Sequence, residues 1–210
     1  MRVMKLLTSM GLGAILLSAG MPAMAKPVMH NKAHKSAVVT PLMPFQPGQG
    51  ETLKTGENGV HHFNHRTITI AVEPSLTSQG PFYDALKAGI ANWNRDSQVH
   101  FKLLGDYTNK ADVVFTNVNL PNIDNGSRVD TFQYAKRPAE IHRSLVEFDY
   151  AKTIAYGVGN GYDMQSYLNQ AVMHDLGNAA GIDDNGDGVM SVKATGQFND
   201  NDVELMNELY

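Results

Sequence analysis

The chain contains no cysteine. That excludes a disulfide framework, a thiolate metal site and a lipid-modified cysteine. It also has no block of basic residues, and its net charge is −4, so nothing marks a nucleic-acid-binding surface. Long apolar runs are absent except at the N-terminus, and that one is too short and too rich in Gly and Ser for a membrane-spanning helix. It follows Arg2 and Lys5 and ends in Ala23-Met24-Ala25. A basic start, an apolar stretch and a small-x-small site predict a signal peptide over residues 1–25, cleaved after Ala25. The expected product is a secreted chain from about Lys26 with no membrane anchor. Without cystine cross-links, such a chain must rest on its hydrophobic core.

Residues 26–61 are rich in Pro, Gly, His and Lys and carry no hydrophobic period. They read as a flexible leader or pro-segment. The remainder, 62–210, has the length of one domain. "RTITIAVE" (66–73) alternates Ile68, Ile70 and Val72 with Thr and Ala, the period of a half-buried strand. "VHFKLL" (99–104), "ADVVFTNV" (111–118), "RVDTFQYA" (128–135) and "RSLVEFDY" (143–150) are further predicted strands. Between the first two, Phe82, Leu86, Ile90 and Trp93 fall on one helical face, with Pro81 suited to the first turn. A glycine-rich loop (157–162) precedes a second helix over 163–180. Its buried side is expected at Met164, Leu168, Ala171, Val172 and Ala179, and Gly181 stands where a left-handed stop belongs. Asn199 can cap a last helix with Val203, Met206 and Tyr210 along one stripe. This order of elements predicts an α+β fold.

The segment "HDLGNAAGIDD" (174–184) carries the chemistry. On a helix, His174 and Asn178 are four apart and share a face. A turn at Gly181 would bring Asp184 back towards them. Three ligands from helix, helix and loop, with a fourth position left for water, are what a catalytic zinc needs. Asp175 would then be the base that deprotonates that water.

These residues resemble the matrixin, or matrix-metalloproteinase-type, branch of the metzincin zinc metallopeptidases. The signature of that branch is H-E-x-x-H-x-x-G-x-x-H followed by a Met-turn. His174 matches the first ligand, Asp175 replaces the catalytic Glu, and Asn178 and Asp184 replace the second and third His. Gly181 keeps the turn and Met190, in "GVMSV", matches the Met-turn. The flanking "AVMHDLGNAAGI", "ADVVFTNV", "ALKAGIANWNRDSQVHF" and "NDNDVELMNELY" are similar to family segments in the same order. The resemblance implies a zincin-like twisted mixed sheet of about five strands, mainly parallel with an antiparallel edge strand. An active-site helix and a C-terminal helix pack behind it. It also implies a zinc cofactor and a peptide or protein substrate lying extended along the edge. A leader that inhibits through a zinc-capping Cys is impossible here.

The substitutions weaken that chemistry. Asn178 offers a neutral amide oxygen where zinc prefers imidazole. The Asp175 carboxylate sits about 1 Å further back than that of Glu, and such a shift costs about 10²-fold. The expectation is a degenerate zinc site on a weakly active enzyme or a pseudoprotease, unless His142 or Asp183 completes a rearranged site. The alternative is a peptide-binding or calcium-binding module on the same fold. Asp183, Asn185, Asp187 and Gly188 open a calcium-loop pattern, but Ala194 stands where a bidentate Glu is required. His61, His62 and His65 form a short His tract that reads either as a metal site or as a solvated linker.

Overall fold

The computed structural model of the chain describes residues 51–54, 61–134, 136–184, 188–191 and 196–210, all within one compact unit, Pro44–Tyr210. The expected signal peptide, most of the expected leader, and Asn185, Asp187 and Ala194 lie outside the described residues. The described elements are β1 (Glu51–Lys54), β2 (Thr67–Val72), α1 (Pro74–Thr77), α2 (Gly80–Asp96), β3 (His100–Leu103) and β4 (Val113–Asn117). They continue with β5 (Ser127–Tyr134), β6 (Arg137–Phe148), α3 (Tyr150–Gly159), α4 (Met164–Ala180) and α5 (Asp200–Leu209).

One six-stranded sheet has the order β1-β5-β6-β4-β2-β3. β3, β2, β4 and β6 are mutually parallel, whereas β5 runs antiparallel to β6 and β1 antiparallel to β5. The mixed α+β architecture expected from the sequence is therefore present. It has one strand more than expected, because Glu51–Lys54, within the expected leader, pairs with Thr131–Tyr134. Its pattern is too short to declare itself, and it gains a ladder only from the exposed edge of β5. Among the described residues no helix is long and apolar enough to cross a membrane.

The alternation in β2 sends Ile68, Ile70 and Val72 into the main core and Ala71 to a smaller cluster on the opposite face of the sheet. The main core lies between the sheet and the helices. Phe82, Leu86 and Trp93 of α2 meet Leu168, Val172, Met173 and Leu176 of α4 there. Each large apolar side chain so buried contributes roughly 1.5–3 kcal/mol. On the other face, Val114, Phe132 and Leu145 are covered by Leu104 and Tyr107 from the β3–β4 connection.

Three elements differ from expectation. α3 takes the place of a predicted strand end and part of the glycine-rich loop. Asp149 caps it by accepting from the Lys152 N–H at 3.0 Å. Its buried residues are Thr153 and Gly157 rather than large apolar ones, and Val158 is 55% exposed, so its apolar positions do not mark its buried side. β6 starts six residues earlier than expected, and the register slips beside Gln133, so that Phe132 faces Arg143 while Gln133 faces Ile141. That bulge leaves His142 inside the strand rather than at its start. Met164, expected in the core, is 38% exposed. α4 instead buries almost its entire second half, from Ala171 to Gly177 and at Ala179 and Ala180.

The end of α4 is tightly built. Gly181 has φ 107°, and the Gly181 and Ile182 N–H groups return to the Asn178 and Gly177 carbonyls. The Ser144 and Tyr210 hydroxyls donate to the Ala179 and Ala180 carbonyls, both at 2.8 Å. A Cβ at Gly181 would run into the His61 backbone carbonyl. Gly181→Ala should therefore cost about 2–5 kcal/mol, from left-handed strain plus overpacking. Gly159→Ala, where a Cβ would meet nothing within 4 Å, should be neutral. Urea unfolding of both variants checks this.

Candidate functional site

α4 begins with the Asp163 carboxylate capping the Ser166 N–H at 2.9 Å. It is then anchored by the Trp93 indole N–H, which donates to the Met173 carbonyl at 3.1 Å. His174, the next residue, is 5% exposed. Its Nδ1–H donates to the Val189 carbonyl at 2.8 Å, which turns Nε2 towards the surface. The Asn178 Nδ2 lies 2.9 Å from that Nε2. Beyond the Gly181 turn, the Asp184 carboxylate comes back: its Oδ1 is 3.1 Å from His174 Nε2 and 3.0 Å from Asn178 Nδ2. The residues read from the sequence as a ligand set thus meet in a nearly equilateral triangle.

The loop that supports His174 is held from α5. The Asp202 carboxylate is fully buried and accepts from the Val189 and Met190 N–H groups at 3.1 Å each and from Asn199 at 2.9 Å. Met190 is buried beneath α4, so close to Gly177 that a Cβ there would strike its sulfur. The residue assigned to the Met-turn therefore packs under the turn of helix that carries His174 and Asn178.

Asp175, the residue expected as the base, is engaged by Ser127. It is 2% exposed, and its Oδ1 accepts from the Ser127 hydroxyl at 3.1 Å. Its other oxygen is buried with no partner. Burial pushes its pKa up to about 7, against the opposing pull of His174 and Ser127. For His174, burial acts to lower the pKa, but the hydrogen bond and charge of Asp184, the charge of Asp175 and the Val189 carbonyl outweigh it, and the net shift is upward. Burial likewise works to raise the Asp184 pKa, yet His174 and Asn178 hold it below the ordinary carboxylate value.

A cation can be tested against this donor set. Ligand atoms about 2.1 Å from one metal, at tetrahedral to octahedral angles, lie about 3.0–3.4 Å apart. The three separations, 2.9, 3.0 and 3.1 Å, approach that range. The amide nitrogen of Asn178 occupies the third corner while its Oδ1 is buried and unpartnered. Rotating the amide would put oxygen at that corner. The geometry fits a divalent cation on His174, Asp184 and Asn178, with a weak third donor. Among the described residues no group of three or more His, Asp and Glu side chains gathers as a metal site.

Other expected candidates are scattered. His142 contacts Tyr134 through its Nε2 at 3.1 Å and by ring contact at 4.3 Å, a partner unconnected with the triangle. Asp183 is exposed and pairs electrostatically with His61. His62 lies edge-on to Tyr210, and His65 pairs with Asp112 at 3.3 Å. The His tract thus diverges to separate partners instead of forming one site. It is also no loose linker, since Phe63 in its middle is 1% exposed. Sequence reasoning missed Ser127 and the Asp202 clamp on Val189 and Met190. The only signal for the second was the N3 position of Asp202 in a capping box with Asn199. No protein-family model matches the chain, and no curated protein is significantly similar to it.

The Asp175 shift gives a pH dependence. Between the ordinary Asp value of about 3.9 and about 7, the folded state holds a proton that the unfolded state has released. Stability therefore falls as pH rises through that window and stays lower above it. The raised His174 acts in the same sense, because its contribution is lost as pH rises through its folded pKa. Asp175→Asn keeps the shape without the charge. It should flatten the decline below pH 7 and raise stability at pH 8 by about 1–4 kcal/mol. Urea unfolding in chelator at pH 5 and pH 8 measures it.

Proposed function

We propose that this chain is a secreted matrixin-type zinc metallopeptidase homologue whose site is degenerate. It binds an extended polypeptide and a divalent cation but hydrolyses peptide bonds very slowly or not at all. The observation that carries this reading is the convergence of His174, Asn178 and Asp184 across the Gly181 turn, with Met190 packed beneath. Three residues at the spacing of the metzincin signature meet at one point, as that signature requires. A mostly parallel sheet with antiparallel strands at one end, and helices packed on one face, also supports it.

His174, Asp184 and Asn178 would hold zinc, which when bound supplies a polarised water and a Lewis acid for a peptide carbonyl. The rest falls to the protein. The Val189 carbonyl fixes the tautomer of His174, so that Nε2 is the free nitrogen. Asp184 supplies the one charged donor, half-exposed at the mouth of the site. The position of the general base in the signature is taken by Asp175, but its Oδ1 is engaged by Ser127. A base must come within about 2.6–3.2 Å of the proton it takes. The engaged, fully buried Asp175 supports the loss of efficient hydrolysis rather than a repaired mechanism. A second reading, a non-enzymatic peptide-binding module, shares the same scaffold. The pairing of Glu51–Lys54 along β5 favours it, since an extended segment of the chain itself lies on this edge.

Calorimetric zinc titration and a casein cleavage assay test the proposal. The wild type should bind zinc weakly and cleave casein at or below detection. The triple variant Asp175→Glu, Asn178→His, Asp184→His should bind zinc at least about 100-fold more tightly, given what even peripheral ligand changes cost. Single replacements should do little, because residues of one site are non-additive. Tight zinc and rapid, chelator-sensitive cleavage by the wild type would overturn the loss of catalysis. No gain by the triple variant would overturn the metzincin assignment of the site.

A further inference from the structure

β1 is an unusual member of the sheet. It has four residues, stands at the end of the strand order and pairs with β5 alone. Its partners, Thr131–Tyr134, are the distal half of a strand whose first residue, Ser127, touches Asp175. β5 is otherwise complete without it, because β6 pairs along its whole length. Both faces of β5 are packed by its own residues: Val129 on the main core, and Phe132 in the cluster on the other face. What β1 adds is the hydrogen-bonded cover of an edge. Backbone pairing of that kind is indifferent to most side chains, and a four-residue edge strand is held by few bonds.

We propose that Glu51–Lys54 is a self-supplied ligand strand, seated antiparallel on Thr131–Tyr134 until an extended segment of another polypeptide takes its place. The inference rests on the reading of β5 as a peptide-binding edge and adds what governs access to it. The partner class is an unstructured polypeptide segment, recognised chiefly through its backbone and running antiparallel to β5. Before such a segment can lie along the full edge towards Ser127 and the His174 triangle, the chain must release its own strand. The leader thus sets the occupancy of the edge through Glu51–Lys54.

The test compares the full chain with its Thr52→Pro/Leu53→Pro variant, in which two consecutive strand N–H groups are removed. Amide exchange is followed separately in β5 (Thr131–Tyr134) and in β4 (Val113–Asn117). In the variant, the β5 amides should exchange about tenfold faster or more, with β4 unchanged, as expected of a local opening. A synthetic peptide of residues 50–56, GETLKTG, at millimolar concentration should slow β5 exchange again in the variant and protect the full chain less. Three results would overturn the proposal: exchange in β4 rising together with β5, which would make β1 an integral part of the fold; equal β5 exchange in the two chains; or no protection of the variant by the peptide. Zinc titration and casein cleavage do not read β5, so a failure here is distinguishable from a failure of the site assignment.

Discussion

The Asp202 carboxylate holds together what would otherwise be three separate pieces. It is fully buried and accepts from the Val189, Met190 and Asn199 N–H groups. Bonds from backbone donors to a charged acceptor are each worth about 1.5–3 kcal/mol. One side chain therefore closes the N-terminus of α5 and fixes the loop beneath α4. Through Val189 the constraint reaches Nδ1 of His174, and through Met190 it reaches the underside of the helix at Gly177. The orientation of the imidazole is thus decided by a carboxylate that never touches it. α5 is tied down in turn by its last residue, since the Tyr210 hydroxyl donates to Ala180 and accepts from the Phe63 N–H.

α4 carries polar chemistry through the core because its neighbours satisfy it point by point. Its carbonyls at Met173, Ala179 and Ala180 receive the Trp93 indole, the Ser144 hydroxyl and the Tyr210 hydroxyl. Those three donors come from α2, β6 and the C-terminus, so the same bonds that satisfy the helix also lock the layers together. Asp175 is an exception, beside the unpartnered amide oxygens of Gln170 and Asn178. One oxygen of its carboxylate has Ser127 and the other has nothing. Leaving a buried carboxylate half-satisfied costs more than a net hydrogen bond returns, and the raised pKa expresses that cost.

How far the sequence could be read follows from how each element is stabilised. β2, α2 and α4 could be found because Ile68, Ile70, Phe82, Leu86, Trp93, Leu168 and Val172 repeat at the period of their element and are buried accordingly. The stop at Gly181 was legible because only a left-handed residue fits there. The site triangle was legible because i, i+4 spacing and one turn suffice to gather it. α3 was not, since it is fixed by the Asp149 cap and by the seat of Gly157 against the Tyr167 ring. Neither is marked by the helix's apolar residues, of which Val158 is exposed. The early start of β6 and the bulge at His142 were hidden because Arg137–Arg143 is mostly polar and its register comes from β5. β1 was hidden for the same reason, as its order comes entirely from a partner strand. Ser127 and the Asp202 clamp join residues 48 apart and 12–13 apart in sequence, contacts that no local pattern encodes.

The state of the site comes down to the amide of Asn178. With nitrogen inward it donates to His174 Nε2 and to Asp184 Oδ1, and the triangle satisfies itself. That arrangement requires His174 to be neutral, with its proton on Nδ1 facing Val189. Protonation of Nε2 instead makes it a donor to Asp184, at 3.1 Å, and an inward amide N–H then opposes it. Turning the amide removes that conflict and frees the nitrogen, but it sets the amide oxygen against Asp184, so a positive charge must sit between them. A proton on His174 supplies that charge at one corner only, whereas a divalent cation at the centre supplies it to all three. A hydrogen-bonded triangle and one closed on a cation would therefore compete for the same residues, separated by one side-chain rotation. An imidazole in place of Asn178 could not donate to both neighbours at once and would leave the cation as the better solution. Asn178, more than Asp184, is what lets this triangle close on itself.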